Sequence, residues 1–137
     1  WLYDAFFADL ARSPVRDAVL FPGFVPDADL PAVYSGARAL AFPSAFEGFG
    51  LPVIEAMACG TPVVCSNTSS LPEVAGDACV LVDPDDTGAI GAGLARVLTE
   101  PALHEELARR GIARATGFSW ERTARDTAAL YERLANP

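Results

Sequence analysis

The stretch FEGFGLPVIEAMACG, residues 46–60, predicts a turn that leads into a helix and has a carboxylate on either side. Glu47 stands before the Gly-Phe-Gly turn and Glu55 follows eight residues later. Pro52 favours the start of a helix, because its missing N–H would have no partner there. Gly60 favours the end of that helix, where a left-handed residue is wanted. Helical spacing predicts a face turned to a core. Its members are Val53, Ile54, Met57 and Ala58.

The glycine turn has the chemistry of a ligand-binding loop. Gly48 and Gly50 let the backbone approach a ligand closely. The N–H groups of Phe49, Gly50 and Leu51 would point out of a helix N-terminus, which suits an anion or a sugar hydroxyl. Glu55 lies about one turn into that helix, near the same mouth. Each glutamate alone is typical of a solvated surface, but the combination predicts a site for a polyol and a phosphate.

The same residues resemble the Glu-x7-Glu signature of retaining, family 4 glycosyltransferases with the GT-B fold. The pattern is EGFGLP at 47–52, EAMA at 55–58, and Gly60 followed by PVV at 62–64. The similarity continues in both directions and covers the chain from about Val19 onward. The further segments are VLFPGFV at 19–25, DLPAVY at 29–34, AFPS at 41–44, SSLPEVAGDA at 69–78, VDP at 82–84 and FSW at 118–120.

The resemblance implies an α/β fold, a Rossmann-like parallel sheet with helices on both faces. Residues 1–137 would form one truncated domain, the later part of the GT-B C-terminal domain that binds the nucleotide sugar. The N-terminal acceptor domain would be absent. So would the start of the C-terminal domain, where the family usually has an Arg and a Lys facing the diphosphate. The chain alone is therefore expected to be inactive.

The implied reaction transfers a hexose from a UDP- or GDP-sugar to an acceptor hydroxyl, with retained anomeric configuration. The family generally needs no metal, since helix N-terminal N–H groups can stabilise the departing diphosphate. The acceptor, a glycan, a lipid or a small molecule, would bind through the absent domain. No cofactor besides the donor substrate is expected.

Residue roles carry over from the resemblance position by position. Glu47 would be the catalytic residue, near the hydroxyls of the transferred sugar. Glu55 would accept hydrogen bonds from the two ribose hydroxyls of the nucleotide. The backbone of the turn would hold sugar hydroxyls and phosphate, at Gly48, Phe49, Gly50 and Leu51.

Three residues of the next loop are donor-binding candidates with an open alternative. Glu73 would touch the nucleotide, or would serve only as an acid in the first turn of a helix. Ser69 and Ser70 replace a Gly-Gly pair that is common in the family. Their hydroxyls either contact the donor or only shape the loop.

Charge argues against several classes of partner. The 137 residues carry a net charge of -8, which disfavours nucleic acid and an anionic membrane surface. All ten basic residues are arginines, and none lies between Leu40 and Cys79. The candidate site is therefore predicted to contain no cation. A diphosphate would then be met by backbone N–H groups and by residues supplied from elsewhere.

Hydropathy and cysteine usage favour a cytoplasmic protein. No apolar run approaches the ~20 residues that span a bilayer, and no signal peptide is visible. Cys59, Cys65 and Cys79 match no zinc pattern, and we expect them to be buried thiols. No cluster of His, Asp and Glu suggests a metal site.

Short apolar strands alternate with helices, which favours a parallel sheet covered on both faces. Ligands bind at the carboxyl ends of such strands, so the loops at 47–51 and 66–70 are expected to share one crevice. Asp27 or Asp29 is predicted to cap the helix that ends near residue 35. Strands are predicted at 18–22, 39–42, 62–65 and 79–82, and helices at 2–10, 71–74, 87–98, 102–114 and 120–134.

The same residues are also compatible with functions other than sugar transfer. A non-catalytic module could keep the fold and only bind a nucleotide sugar or another partner. Another GT-B activity, such as a phosphorylase or an epimerase, is a third reading, although the chain has no lysine for a pyridoxal cofactor. A retaining glycosidase would place two carboxyls about 5 Å apart, whereas Glu55 is assigned to the nucleotide. A truncated sheet would also expose an edge that invites pairing with a second copy.

Overall fold

The computed structural model describes residues 3–135, so the first two and last two residues lie outside it. The predicted start of the first helix, at Leu2, is among these, and the helix that is described ends at Arg12. The helices are α1 (Asp4–Arg12), α2 (Leu30–Gly36), α3 (Leu51–Ala58), α4 (Leu71–Ala75), α5 (Thr87–Thr99), α6 (Pro101–Ala115) and α7 (Trp120–Ala135), with a 3-10 turn at Arg16–Ala18. The strands are β1 (Leu40–Phe42), β2 (Val63–Ser66) and β3 (Cys79–Val82).

The strands form one parallel sheet in the order β1-β2-β3. Leu40 pairs with Val63, and Val63 pairs with Cys79 on its other side. The central strand β2 is buried along its whole length. Successive strand residues point to opposite faces, so Val63 and Cys65 pack into one core while Val64 packs into the other. The expected fold class, a parallel sheet with helices on both faces, is confirmed.

Helix α6 belongs to both cores. Its Leu107 packs with Val97 of α5 on one side of the sheet, and its Ala115 joins the core on the other side. Between them, Gly111 lets α6 approach α3 closely, because a Cβ at this position would lie 3.2 Å from Cγ of Met57. The helix that carries Glu55 is therefore held between the sheet and α6.

The strand predicted at 18–22 is wrong. Residues 19–26 follow the 3-10 turn without regular secondary structure, and Leu20 is 85% exposed. An apolar run becomes a strand only when a neighbour hydrogen-bonds to it, and no described strand pairs with this one. Phe21 instead contacts the rings of Phe6 and Phe7 on α1, at centroid distances of 6.3 and 5.3 Å.

Two local predictions for the helices also need correction. On α3 the buried residues include Val53, Met57 and Ala56, whereas Ala58 is exposed, because the face against the sheet and α6 follows the i, i+3, i+4 positions. On α2, Asp29 occupies the N-cap position but its side chain makes no capping hydrogen bond. The rest of the predicted helices and the other three strands form near the expected positions.

Helices α1 and α7 bury none of their described side chains. On α7, Trp120, Tyr131 and Leu134 are all exposed. Neither helix is a membrane span: among residues 3–135, no helix combines the length and the apolarity needed to cross a bilayer.

Candidate functional site

The glycine turn starts α3 through a backbone that only glycine adopts easily. Gly50 is the N-cap residue and has φ +103°, in the left-handed region. A Cβ at this position would lie 2.5 Å from Cδ2 of the buried Leu71 side chain, so any larger residue would force that side chain to move. Pro52 follows in the first turn of the helix, as its fixed φ favours. The predicted turn is therefore confirmed at both residues.

The far end of α3 closes as the sequence predicts. Gly60 has φ +75° and donates its N–H to the carbonyl of Met57 at 3.0 Å. The N–H of Thr61 reaches the carbonyl of Ala56 at 2.9 Å. These two bonds form the Schellman arrangement, which fixes the end of the helix with a left-handed glycine.

Three backbone donors remain open where α3 begins. Across residues 3–135, no hydrogen bond uses the N–H of Phe49, Gly50 or Leu51. These groups lie at the positive end of a helix, where an anion or a hydroxyl oxygen is a favourable partner. The turn thus has three backbone N–H groups without a partner in the described chain.

The loops after β1 and β2 are joined by side-chain hydroxyls, so they lie side by side at one edge of the sheet. The Ser66 hydroxyl, at the end of β2, donates to the carbonyl of Ser44 at 2.5 Å. The Thr68 hydroxyl donates to the carbonyl of Ala45 at 3.2 Å. Because each bond links a side chain to the opposite main chain, the two loops keep a fixed relative position.

Ser69 and Ser70 extend this connection to the residues beside the turn. The Ser69 hydroxyl accepts the N–H of Glu47 at 3.1 Å, and Ser69 itself has φ +53°, a conformation that glycine prefers. The Ser70 hydroxyl lies 3.0 Å from the carbonyl of Glu47 and 2.9 Å from that of Phe49. Both hydroxyls therefore hold the loop that contains the turn.

Glu47 has a fixed backbone and a free carboxylate. Its main chain is held by Ser69 and Ser70 on both sides of the residue. Its side chain forms no hydrogen bond or ion pair with any other described residue. A half-buried carboxylate that lacks a partner can accept hydrogen bonds from ligand hydroxyls.

Glu55 lies on the exposed side of α3 and has one partner from α2. The Tyr34 hydroxyl donates to Oε2 of Glu55 at 2.9 Å. Partial burial and, to a smaller extent, this bond to the carboxylate raise the pKa of Tyr34 to about 12. The phenol therefore remains a proton donor at neutral pH. The local sequence gave no sign of this partner, because it comes from a helix 21 residues upstream.

Glu55 separates two grooves. One, of about 430 Å³, is lined by Tyr34 and by Asp27 at the start of the segment leading into α2. The other, of about 230 Å³, is lined by Phe49 and by Phe118 of the loop before α7. Glu55 thus borders both the groove beside Tyr34 and the groove beside Phe118.

A third cavity, of about 270 Å³, brings together most of the remaining donor-site candidates. Phe49 and Phe118 line it as well, so it adjoins the second groove beside Glu55. The candidates that line it are Gly48, Phe49, Ser70 and Glu73. The structure connects Glu47 to this wall through the two serines, while Glu55 lies on the far side of Phe49.

Arg114 also lines this cavity, so the prediction of a site without a cation is wrong. Its Nε donates to the carbonyl of Val74 at 2.9 Å, and its Nη2 donates to the carbonyl of Glu73 at 2.5 Å. The guanidinium also lies 5.1 Å from the centroid of the Phe118 ring. The residue was missed because it reaches the site from the end of α6, 41 residues after Glu73.

Glu73 itself is exposed, in the first turn of α4. Its carboxylate forms no hydrogen bond or ion pair within the described chain, so the side chain is available to a ligand. Only its carbonyl is engaged, by Arg114.

The cysteines and the acidic residues do not assemble a metal site in the described part of the chain. No group of three or more His, Cys, Asp and Glu side chains is placed to hold an ion there. Cys65 is buried, as expected, and its thiol lies 3.7 Å from the sulfur of Cys79. Cys59 and Cys79 are only half-buried, so the expectation of buried thiols fails for these two.

Comparisons with known proteins agree with this architecture. The O-antigen chain mannosyltransferase B of Escherichia coli is 44% identical over 134 residues, which are 98% of this chain and 35% of that protein. A D-inositol 3-phosphate glycosyltransferase of Actinosynnema mirum is 41% identical over 125 residues, 89% of this chain and 30% of that protein. The solved structure of a sucrose-phosphate synthase from Thermosynechococcus elongatus superposes with a TM-score of 0.86 at 34% identity, covering 94% of this chain and 33% of that one.

The chain thus spans about a third of the length of these relatives. A family model described as glycosyl transferases group 1 matches residues 10–114, which include both loops of the site and helices α2 to α5. This match covers well over half of the chain. The chain therefore belongs to the glycosyl transferases group 1 family.

Proposed function

We propose that this chain forms the donor-binding part of a retaining glycosyltransferase, which moves a sugar from a nucleoside diphosphate sugar to an acceptor hydroxyl. The observation that carries the proposal is the set of unpartnered N–H groups at Phe49, Gly50 and Leu51, which lie between the free carboxylate of Glu47 and the carboxylate of Glu55, whose Oε1 is free. Family membership supplies the reaction class. The chemistry of the site supports the proposed donor class, because it suits a phosphate next to hydroxyl groups.

The open N–H groups would stabilise the departing diphosphate. As the bond between the anomeric carbon and the phosphate oxygen breaks, the electron pair leaves with the diphosphate, and donors fixed at the start of α3 need no reorganisation to meet that charge. The acceptor oxygen forms the new bond to the same carbon, and its hydroxyl proton passes to the departing diphosphate. Among the described residues that line the third cavity, Arg114 is the one cation, and its Nε and Nη2 are already engaged with carbonyls.

The two glutamates would bind different parts of the donor. Glu47, near the wall lined by Ser70, would accept hydrogen bonds from the hydroxyls of the transferred sugar. Glu55, on the other side of Phe49, would accept from the ribose. The serines 69 and 70 would act through the loop that they hold, and Glu73 would contact the nucleotide from the rim of the cavity.

The donor would be a UDP- or GDP-hexose. Mannose is the first sugar to test, because the Escherichia coli relative is named as a mannosyltransferase. The acceptor, whether a glycan, a lipid or a small molecule, would be bound by the part of the relatives that has no counterpart in this chain. We therefore expect the isolated chain to bind nucleotide without transferring sugar.

A binding module without transferase activity is the alternative. Sugar transfer by the isolated chain, abolished by Glu47→Ala, would contradict both this alternative and the expected inactivity.

Titration calorimetry with UDP, GDP and ADP tests the proposal, after circular dichroism has verified folding. We expect one nucleotide to bind, and Glu55→Gln to weaken its binding about 10-fold by removing a charged acceptor. Glu105→Gln on α6 is the matched control, because it makes the same charge change at an exposed position. A folded chain that binds none of the three nucleotides, or binds them equally well with Gln at position 55, contradicts the proposal.

A further inference from the structure

Tyr34 is fixed at three points around the last turn of α2. Its carbonyl accepts a hydrogen bond of 2.6 Å from the hydroxyl of Thr61, a residue that is only 3% exposed. Its ring packs against the core that includes Val53 and Met57 of α3. Its hydroxyl donates to Oε2 of Glu55 at 2.9 Å. The direction of this hydroxyl is therefore set by both the backbone and the core.

The Glu55 carboxylate has no other hydrogen-bond partner in the described part of the chain. An exposed glutamate loses rotamer freedom when it binds a ligand, and that loss reduces affinity. A partner that already holds the carboxylate removes part of this loss. The bond to Tyr34 engages Oε2 and leaves Oε1 without a partner, together with a further lone pair on Oε2.

We propose that Tyr34 is a positioning residue, which holds the Glu55 carboxylate in the orientation that accepts the two vicinal hydroxyls of a ribose. The inference rests on the proposed function, since the contact of Glu55 with the ribose is itself part of that proposal. Tyr34 need not touch the nucleotide. It acts through Glu55, with Thr61 and the core behind it.

The decisive variant is Tyr34→Phe, which keeps the ring in the core and removes only the hydroxyl. Its affinity is measured by calorimetry for the diphosphate that binds best among UDP, GDP and ADP, and for the 2′-deoxy form of the same diphosphate. We expect binding of the ribonucleotide to weaken by about 2- to 10-fold, the range of one hydrogen bond. The deoxynucleotide, which lacks one hydroxyl of the diol, should be nearly unaffected.

Two further variants separate positioning from general stability. Tyr131→Phe on α7 makes the same chemical change at an exposed site and should leave both affinities unchanged. In a Glu55→Ala background, Tyr34→Phe should have no further effect on ribonucleotide binding, because the group that it positions is gone. Melting temperatures of all variants show whether any loss of affinity follows a loss of folding.

The outcomes distinguish the positioning role of Tyr34 from the ribose contact of Glu55. Equal weakening of the ribo- and deoxynucleotide, or unchanged or tighter ribonucleotide binding by Tyr34→Phe, overturns the positioning role alone, provided that Glu55→Ala weakens binding. If Glu55→Ala has no effect, or if the folded chain binds no nucleotide, the proposed ribose contact fails and the role of Tyr34 fails with it.

Discussion

At Gly50 both the backbone conformation and the packing of a neighbouring side chain disfavour any residue larger than glycine. The φ of +103° excludes most side chains, and Leu71 fills the space where a Cβ would lie. We expect Gly50→Ala to lower the free energy of unfolding by about 2–4 kcal/mol, from strain and overpacking together. Urea denaturation followed by circular dichroism measures the change.

Gly91→Ala on α5 is the control for this substitution. Gly91 lies within a helix and has no atom within 4 Å of the added Cβ, so alanine there should stabilise the fold by about 0.5–1 kcal/mol. Equal effects of the two substitutions would show that Gly50 is not constrained as the turn requires.

The residues predictable from sequence are those whose signal is local. Gly50, Pro52 and Gly60 mark the ends of α3 because their backbone preferences act within a few positions. Tyr34 and Arg114 reach the site through tertiary packing, from 21 residues before Glu55 and 41 residues after Glu73. Their own neighbours in the sequence carry no trace of that contact.

Among the elements, α4 and α6 share a core and are also linked by hydrogen bonds from Arg114. The guanidinium of Arg114 donates to two carbonyls of α4 and lies over the Phe118 ring, which in turn meets the Phe49 ring edge-on at 5.8 Å. A planar fork can make both hydrogen bonds and the ring contact at once, whereas an ammonium group cannot.

Arg114→Lys should therefore lower the free energy of unfolding by about 1–2 kcal/mol. Arg125→Lys on α7 is the matched control, since Arg125 is exposed and has no hydrogen bond or ion pair in the described chain. Chemical denaturation of the two variants in parallel gives the difference. Identical midpoints would mean that the ring contact and the carbonyl bonds contribute nothing to stability.

The strands illustrate where element prediction succeeds and where it fails. The apolar run of β2 predicts a buried strand, and β2 is indeed buried between β1 and β3. The run at 18–22 is also apolar, yet no described neighbour pairs with it. An apolar composition allows a segment to form a strand, but the strand forms only if a neighbouring strand hydrogen-bonds to it.

For the whole molecule, the sheet ends in two open strands, β1 and β3. Unpaired edges present main-chain donors and acceptors to other molecules. We therefore predict that the isolated chain self-associates through a sheet edge as its concentration rises. Sedimentation velocity over a wide concentration range measures this.

A substitution on α7 distinguishes association through the sheet edge from association through the exposed apolar side of α7. Leu134→Glu places a charge on the apolar side of α7 and leaves both edges intact. Association that persists in this variant supports the edge, and association that disappears assigns the contact to α7. A chain that stays monomeric at every concentration contradicts the prediction.

Helix α6 couples the unfolding of the two cores. Because Leu107 belongs to one core and Ala115 to the other, neither half of the interior can melt while this helix stays in place. Thermal unfolding of the sheet and its two helical layers should then be one cooperative transition. The slowest-exchanging amides of β2 and of α6 should open together, with a common free energy.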